Sequence, residues 1–515
     1  MTTPAPVPPP DGPPTPERRG HSRRSAVSRG VTWNTFSEVV QAIISFGGML
    51  VLVRVIPAGE YGKVAAVTGL LAFLSTANAH AFAGQSIQLA EGEDPDWSLH
   101  WHAAVVIQLT LFVLANAIAG VYWMVPAYRP LAPMLHVGSV GLLLAAPHIL
   151  LSEMLTRELD YKRSRLLQAV SALGNTTLAV ALGLAGWGAY AIILGAQVAH
   201  LLPFSLYLLF IRKWRPADGW FRWPSWHAYR PALRWGTQQV GSAMLGQARG
   251  AAEATVLPGA VGFVPLGLLG RAQALHSQTA GRLASIMQNT VYPLLPRAAG
   301  DPVVFGRQAT LYLRAALLVL LPAATFLGME GWVASRLLYG QRWIGADPLI
   351  RPAVIAAFGA AIFAVASSIV QASGRLRHAF LLNALAAAVG LPLLAVAVMR
   401  RDIEAYAWTL AVADTALAGA AMLVAARHFG ASWERYALLP PAIATVAAGA
   451  ALWAMRSTFA ATSPFPRLVV GSAGFIAIYV TVLRIAYPEA LTMMLARVRG
   501  GPRVLRWLRL AGGAP

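Results

Sequence analysis

Residues 233–289 read LRWGTQQVGSAMLGQARGAAEATVLPGAVGFVPLGLLGRAQALHSQTAGRLASIMQN. The stretch is long and apolar enough for two membrane helices, broken at the VLPGAVG turn. Yet it carries Gln238, Gln239, Gln247, Arg249, Glu253, Arg271, His276, Gln278 and Arg282. Ionisable groups at membrane depth are costly, so they normally face a bundle interior or a wet cavity. On the second helix, Arg271, Leu275, Gln278, Arg282 and Asn289 fall close together on a 3.6-residue wheel. The stripe is expected to line a cationic cavity. Arginine binds phosphate in a bidentate fashion, so Arg271, Arg282, Arg249 and Gln278 point to an anionic, phosphate-bearing cargo.

A plainer reading stands beside this one. Arg249 and Glu253 are four apart, so they share a helix face and could pair locally. Arg282 could snorkel to a nearby helix end. Glu38, Glu253 and Asp414 are read as ion-coupling or charge-pairing groups, with Glu38 near Asn34 and Gln41 on one face of the first span. Asp414 could equally make a helix-contact hydrogen bond. His80 and His276 read as satisfied polar groups.

The remaining chain fits a membrane setting. Of its 515 residues, 57% are hydrophobic and only 12% charged, against about 25% charged in soluble chains. The mean hydropathy is +0.56. These values indicate an all-α polytopic membrane protein of about 14 spans. The formal net charge of +20 would suggest nucleic acid in a soluble protein. Here the basic residues sit in short loops, where they set topology and meet anionic lipid, so no nucleic acid is expected. Absence of cysteine excludes disulfides and thiolate metal sites.

The spans are placed at about 31–56, 61–87, 101–125, 134–154, 166–184 and 189–211, then the opening hairpin. Six more follow at about 311–329, 350–371, 380–398, 406–426, 438–455 and 468–486. After the ninth, EGWVASRLLYGQRW is expected to lie at the interface. Loops on the side of the termini hold about 26 basic residues against about 10 opposite, which places both termini in the cytoplasm.

An internal repeat sets the expected organisation. GVTWNTFSEVVQ opens the first span and VIPAGEYG follows it; ALRWGTQQVGSA opens the seventh and VLPGAVG follows. Trp33 and Pro57 are 24 positions apart, Trp235 and Pro258 are 23. Six spans per copy gives two parallel six-helix bundles plus two C-terminal helices. The expected parts are a disordered basic, proline-rich tail (1–28), a first bundle (29–211) and a basic linker (212–234). A second bundle (235–427), two further helices (437–487) and a basic amphipathic tail (488–515) complete the chain.

Enzyme signatures are missing. The sequence holds no GxxxxGK[ST] loop, no HExxH and no GxSxG elbow. No catalytic set, metal site or cofactor is expected, and the loops are short for an extramembrane active site. A membrane-embedded glycan polymerase or ligase stays open, because Arg336, Arg342, Arg351, Arg400 and Arg401 lie in the loops opposite the termini.

SRGVTWNTFSEVV, VLVRVIPAGEYGKVAAV, RELDYKRSR, LGLLGRAQAL, YPLLPRAAGD and LLYGQRWIGADPLI follow one another in order. This series resembles the polysaccharide-exporter branch of the multidrug/oligosaccharidyl-lipid/polysaccharide flippases, through the first ten spans. The resemblance implies a flippase moving undecaprenyl-diphosphate-linked oligosaccharide to the periplasmic leaflet of the bacterial inner membrane, with cavity arginines engaging the diphosphate. It implies drive by an ion gradient or the membrane potential. Anionic lipid and a polysaccharide polymerase with its export machinery are the expected partners. Two positions depart from the family pattern: Glu253 stands where Asp is common, and Leu269 where an aromatic is common. A flippase for the peptidoglycan lipid precursor and a drug/cation antiporter of the same superfamily remain alternatives; a basic cavity disfavours the antiporter.

Overall fold

The computed structural model describes residues 40–84, 86, 93–158, 160–206, 215–276, 295, 298, 300–430, 433–456, 463–489 and 492. Among these residues the chain is helical throughout, with no strand. The helices are α1 (Val40–Val55), α2 (Ala58–Ser75), α3 (His80–Ala83), α4 (Trp97–Met124), α5 (Ala132–Arg157), α6 (Tyr161–Leu184) and α7 (Ala189–Leu206). Then come α8 (Trp226–Val261), α9 (Phe263–His276), α10 (Pro302–Tyr339), α11 (Asp347–Ala372) and α12 (Leu376–Arg400). The series ends with α13 (Ile403–Ala426), α14 (Leu439–Ala454) and α15 (Pro464–Ala486).

Among the described residues, ten helical segments are long and apolar enough to cross a membrane, and Val40–Val55 and Ala189–Leu202 are shorter apolar helices. The protein is a multi-pass membrane protein. The expected count of about 14 is reached only by adding those two and the polar pair α8 and α9.

Polar residues at the helix ends explain where helices start and stop. Asp160, Asp301 and Asp402 cap α6, α10 and α13, each side chain accepting backbone N–H bonds from the first turn. An aspartate cap satisfies donors that a helix start leaves unpaired. The break between α8 and α9 falls at Gly262, whose φ of +86° suits glycine. The helix therefore runs on through Pro258, past the expected start of the turn. At its other end α8 begins at Trp226, inside the segment read as linker.

Of the piece expected at the interface after the ninth span, Glu330–Tyr339 continue α10, one helix of 38 residues. The reason is an internal partner. Glu330 is 1% exposed and bonded twice by Arg467 of α15, at 2.8 and 2.9 Å. A paired carboxylate need not reach the headgroup zone.

By contacts the chain forms two compact units: residues 1–52, 78–116 and 136–238, and residues 53–77, 117–135 and 239–515. In the first unit α6 and α7 pack closely. A Cβ on Gly195 would lie 2.8 Å from the Ala179 Cβ. In the second unit α11 meets α13 at Gly359, where a Cβ would lie 2.7 Å from the Asp414 carbonyl carbon. Leu318 of α10 joins Ala444, Ala448, Leu452, Phe475, Tyr479 and Leu483 in a core that fixes α14 and α15 to α10. The Tyr479 hydroxyl donates to the Leu318 carbonyl at 2.7 Å.

Candidate functional site

Within the second unit, three of the residues singled out from sequence come together. Arg249 of α8 donates from both terminal nitrogens to Asp414 of α13, at 2.5 and 3.2 Å. Its Nε lies 3.5 Å from Glu253, one turn further along α8. The Tyr406 hydroxyl of α13 donates to Glu253 at 2.6 Å. One guanidinium thus sits between two carboxylates, beside a cavity of about 400 Å³ that Gln247, Gln273 and Asn383 also line. Room for the arginine comes from Gly390 of α12, where a Cβ would lie 2.7 Å from the Arg249 Cδ.

Asp414 is charge-paired across helices. Its partner is 165 positions away in the chain. Tyr406 and Gly390 escaped the sequence reading. The available signal was the i, i+4, i+8 spacing of Tyr406, Leu410 and Asp414, which puts a hydroxyl and a carboxylate on one helix face.

Arg271 of α9 lies in the same unit but apart from this cluster. Its guanidinium stands over the Tyr61 ring, 4.3 Å from the centroid. Its Nε is buried and has no hydrogen-bond partner among the described residues. Gln278, Arg282 and Glu38 lie outside the described residues.

The first unit holds a larger cavity, about 920 Å³, which sequence reading did not locate. His227, Arg230, Arg234 and Gln238 line it at three- and four-residue steps along α8, with Trp235 and Thr237 beside them. Among the described residues, no ion pair involves Arg230 or Arg234. Both side chains are exposed. A wall with two unneutralised guanidinium groups suits an anion.

The sequence pattern of a family described as "polysaccharide biosynthesis protein" matches residues 51–348. The chain belongs to that family. The matched region of this polysaccharide biosynthesis protein includes Arg249, Glu253 and Arg271, while Asp414 lies beyond it. Its fold is similar to that of "Lipid II flippase MurJ, inward closed conformation", with a TM-score of 0.72 over 89% of this chain and 99% of that one, at 12% identity. A second similar structure is an inward-facing "multidrug resistance MATE family transporter of the MOP superfamily", with a TM-score of 0.50 over 76% and 94% of the two chains, at 16% identity. No curated protein matches the sequence. The fold is that of the flippase superfamily to which those transporters belong.

Proposed function

We propose that this protein is an alternating-access flippase. It moves undecaprenyl-diphosphate-linked oligosaccharide repeat units from the cytoplasmic to the periplasmic leaflet of a bacterial inner membrane, with both termini cytoplasmic. The product would be exopolysaccharide, O-antigen or capsule. The observation that carries the reading is the cavity on α8, where Arg230 and Arg234 have no carboxylate partner among the described residues. Lipid diphosphate is the anion that fits a polysaccharide biosynthesis family and a flippase fold.

In this reading Arg271, Arg282 and Gln278 are further contacts for the diphosphate. Arg249 has a different part. It is engaged by Asp414 and Glu253, so a diphosphate reaching it would have to displace a carboxylate. Arg249, Glu253 and Asp414 then act as a charge-paired group whose pairing changes during the cycle. Anionic lipid and a polymerase with export machinery are the partners.

The test is lipid-linked oligosaccharide in a deletion strain, followed by leaflet. Repeat units trapped on the cytoplasmic side support the flippase. Repeat units that reach the periplasm but fail to polymerise sink it and favour a polymerase or ligase. The MurJ-like fold favours one second reading, a flippase for the peptidoglycan lipid precursor. Rescue of cells depleted of their own precursor flippase would select that reading.

A further inference from the structure

The first unit contains a buried acid that neither the sequence reading nor the charge cluster of the second unit accounts for. Glu153 lies near the end of α5 and its side chain is 1% exposed. Its neighbours on the helix, Ile149, Leu150 and Met154, are buried apolar residues. A carboxylate in such surroundings is costly unless paired. Its Oε1 meets the Nδ1 of His80 on α3. Its Oε2 is buried and has no hydrogen-bond partner among the described residues.

His80 has the opposite setting. Its side chain is 62% exposed, although one ring nitrogen touches the buried acid. A single imidazole therefore joins the protein surface to Glu153. Two more imidazoles belong to the same unit. His148, also on α5, is within electrostatic reach of His80. Its ring stands 5.7 Å from that of His200 on α7. The Nδ1 atoms of His148 and His200 are both buried without a hydrogen-bond partner among the described residues.

The other polar groups near Glu153 have fixed partners. His100 of α4 is within electrostatic reach of Glu153 and of Asp96. Both its ring nitrogens are engaged, by Ser86 Oγ at 2.6 Å and by the Tyr229 hydroxyl at 3.0 Å. Arg157, one turn further along α5, donates to the carbonyls of Ser86 and Glu93. In the second unit, Asp414 and Glu253 are held by Arg249 and Tyr406. Glu153, with an unused oxygen and an exposed imidazole at its other oxygen, is the acid best placed to gain and lose a proton.

We propose that Glu153 and His80, backed by His148 and His200, form a proton-binding site in the first unit that couples proton movement to transport. The His80 Nε2 takes a proton from water while its Nδ1 proton passes to Glu153 Oε1. The carboxylate becomes a neutral acid, and the imidazole is left neutral in its other tautomer. The reverse transfer releases the proton. The coupling role rests on the transport reading; the proton site does not.

Infrared difference spectroscopy on the full chain in lipid nanodiscs, titrated from neutral to acid pH, tests the site without any cargo. A protonated-carboxyl component should grow on acidification in the parent protein and be missing from the Glu153→Gln spectra. In His80→Asn the carboxylate loses the imidazole that donates to its charged form, so the band's midpoint should move to higher pH. That variant keeps the carboxyl and serves if Glu153→Gln fails to accumulate. Polymer export by Glu153→Gln should fall about tenfold and lose its dependence on external pH, with membrane levels unchanged. A titration unchanged in both variants overturns the site. Loss of the band with full, pH-dependent export overturns the coupling role. Failure of the transport reading shows separately, as normal leaflet transfer in a strain lacking the whole chain.

Discussion

Gly62 of α2 and Gly267 of α9 face each other with no space for a side chain between their helices. A Cβ on Gly62 would lie 1.8 Å from the Phe263 carbonyl oxygen, and one on Gly267 would lie 1.9 Å from the Ala58 carbonyl oxygen and 3.0 Å from the Gly62 nitrogen. These residues belong to or adjoin the two repeated motifs, VIPAGEYG and VLPGAVG, so the repeat's corresponding turns are packed on one another. Gly62→Ala and Gly267→Ala must each push backbone apart. Overpacking of this kind costs about 1–3 kcal/mol. The thermal midpoint in detergent should fall for each variant. Gly47→Ala, where a Cβ meets nothing within 4 Å, should leave it unchanged.

Arg271 stands on the same contact. Tyr61 beneath it is 5% exposed and meets Trp343 edge-on at 5.4 Å, and Trp343 Nε1 donates to the Val53 carbonyl at 2.9 Å. A desolvated cation–π contact is worth about 2 kcal/mol. Arg271→Ala should abolish polymer export while the protein stays in the membrane. Arg271→Lys should keep part of it, since lysine retains the charge and loses the planar fork. Tyr61→Leu removes the ring and leaves the guanidinium, so it should lose less than Arg271→Ala. Equal loss in the two would make Arg271 a latch between helices and not a cargo contact.

The Arg249–Asp414 pair predicts a pattern across variants. Removing one partner of a buried ion pair strands the other and costs about 3–5 kcal/mol, whereas removing both is close to neutral. Asp414→Asn leaves Arg249 with Glu253 alone, and Arg249→Gln leaves two carboxylates side by side. Thermal midpoints should fall further for Arg249→Gln than for Asp414→Asn. The double variant should recover most of the loss. Additive losses would show that the two side chains do not stabilise one another.

Much of this arrangement was legible in the sequence, and the limits have physical causes. Hydropathy marks the apolar helices because a segment must satisfy its own backbone in lipid. Arg249 and Glu253 could be placed on one face because helical spacing is local. What spacing cannot supply is a partner on another helix. Asp414 could be given no named partner, Glu330 stood in a segment expected at the interface, and His80 read as a satisfied polar group without its acid, Glu153. Their partners lie 165, 137 and 73 positions away, on helices brought together only by packing. Gly62 and Gly267 were equally silent, since a glycine needed for a turn and one needed for contact look alike in a sequence.

His428, just beyond the end of α13, gives a pH dependence. Burial pushes its imidazole below the ordinary value of 6.5, and the nearby Arg375, His378 and Arg427 push it the same way. Its ring packs edge-on to Phe305 at 6.1 Å. The folded state therefore binds this proton less well than the unfolded chain. The contribution to stability is full above about pH 6.5 and is lost as pH falls through the depressed value. Thermal midpoints measured downward from pH 7 should drop less steeply in His428→Gln than in the parent protein. Parallel curves would mean that His428 does not report the difference.

The absence of cysteine makes the contact between the two turns directly testable. A Cβ on Gly59 would lie 3.3 Å from the Val264 Cγ2, so side chains introduced at the two positions would touch. Gly59→Cys with Val264→Cys should therefore cross-link readily under oxidising conditions, detected as a reductant-sensitive link between fragments after cleavage in an intervening loop. If the turns separate during each transport cycle, the oxidised protein should stop exporting polymer, and reductant should restore export. Efficient cross-linking with undiminished export would mean that the turns stay together throughout. Transport would then have to proceed with Gly62 and Gly267 in permanent contact, and the opening that alternating access requires would lie elsewhere in the fold.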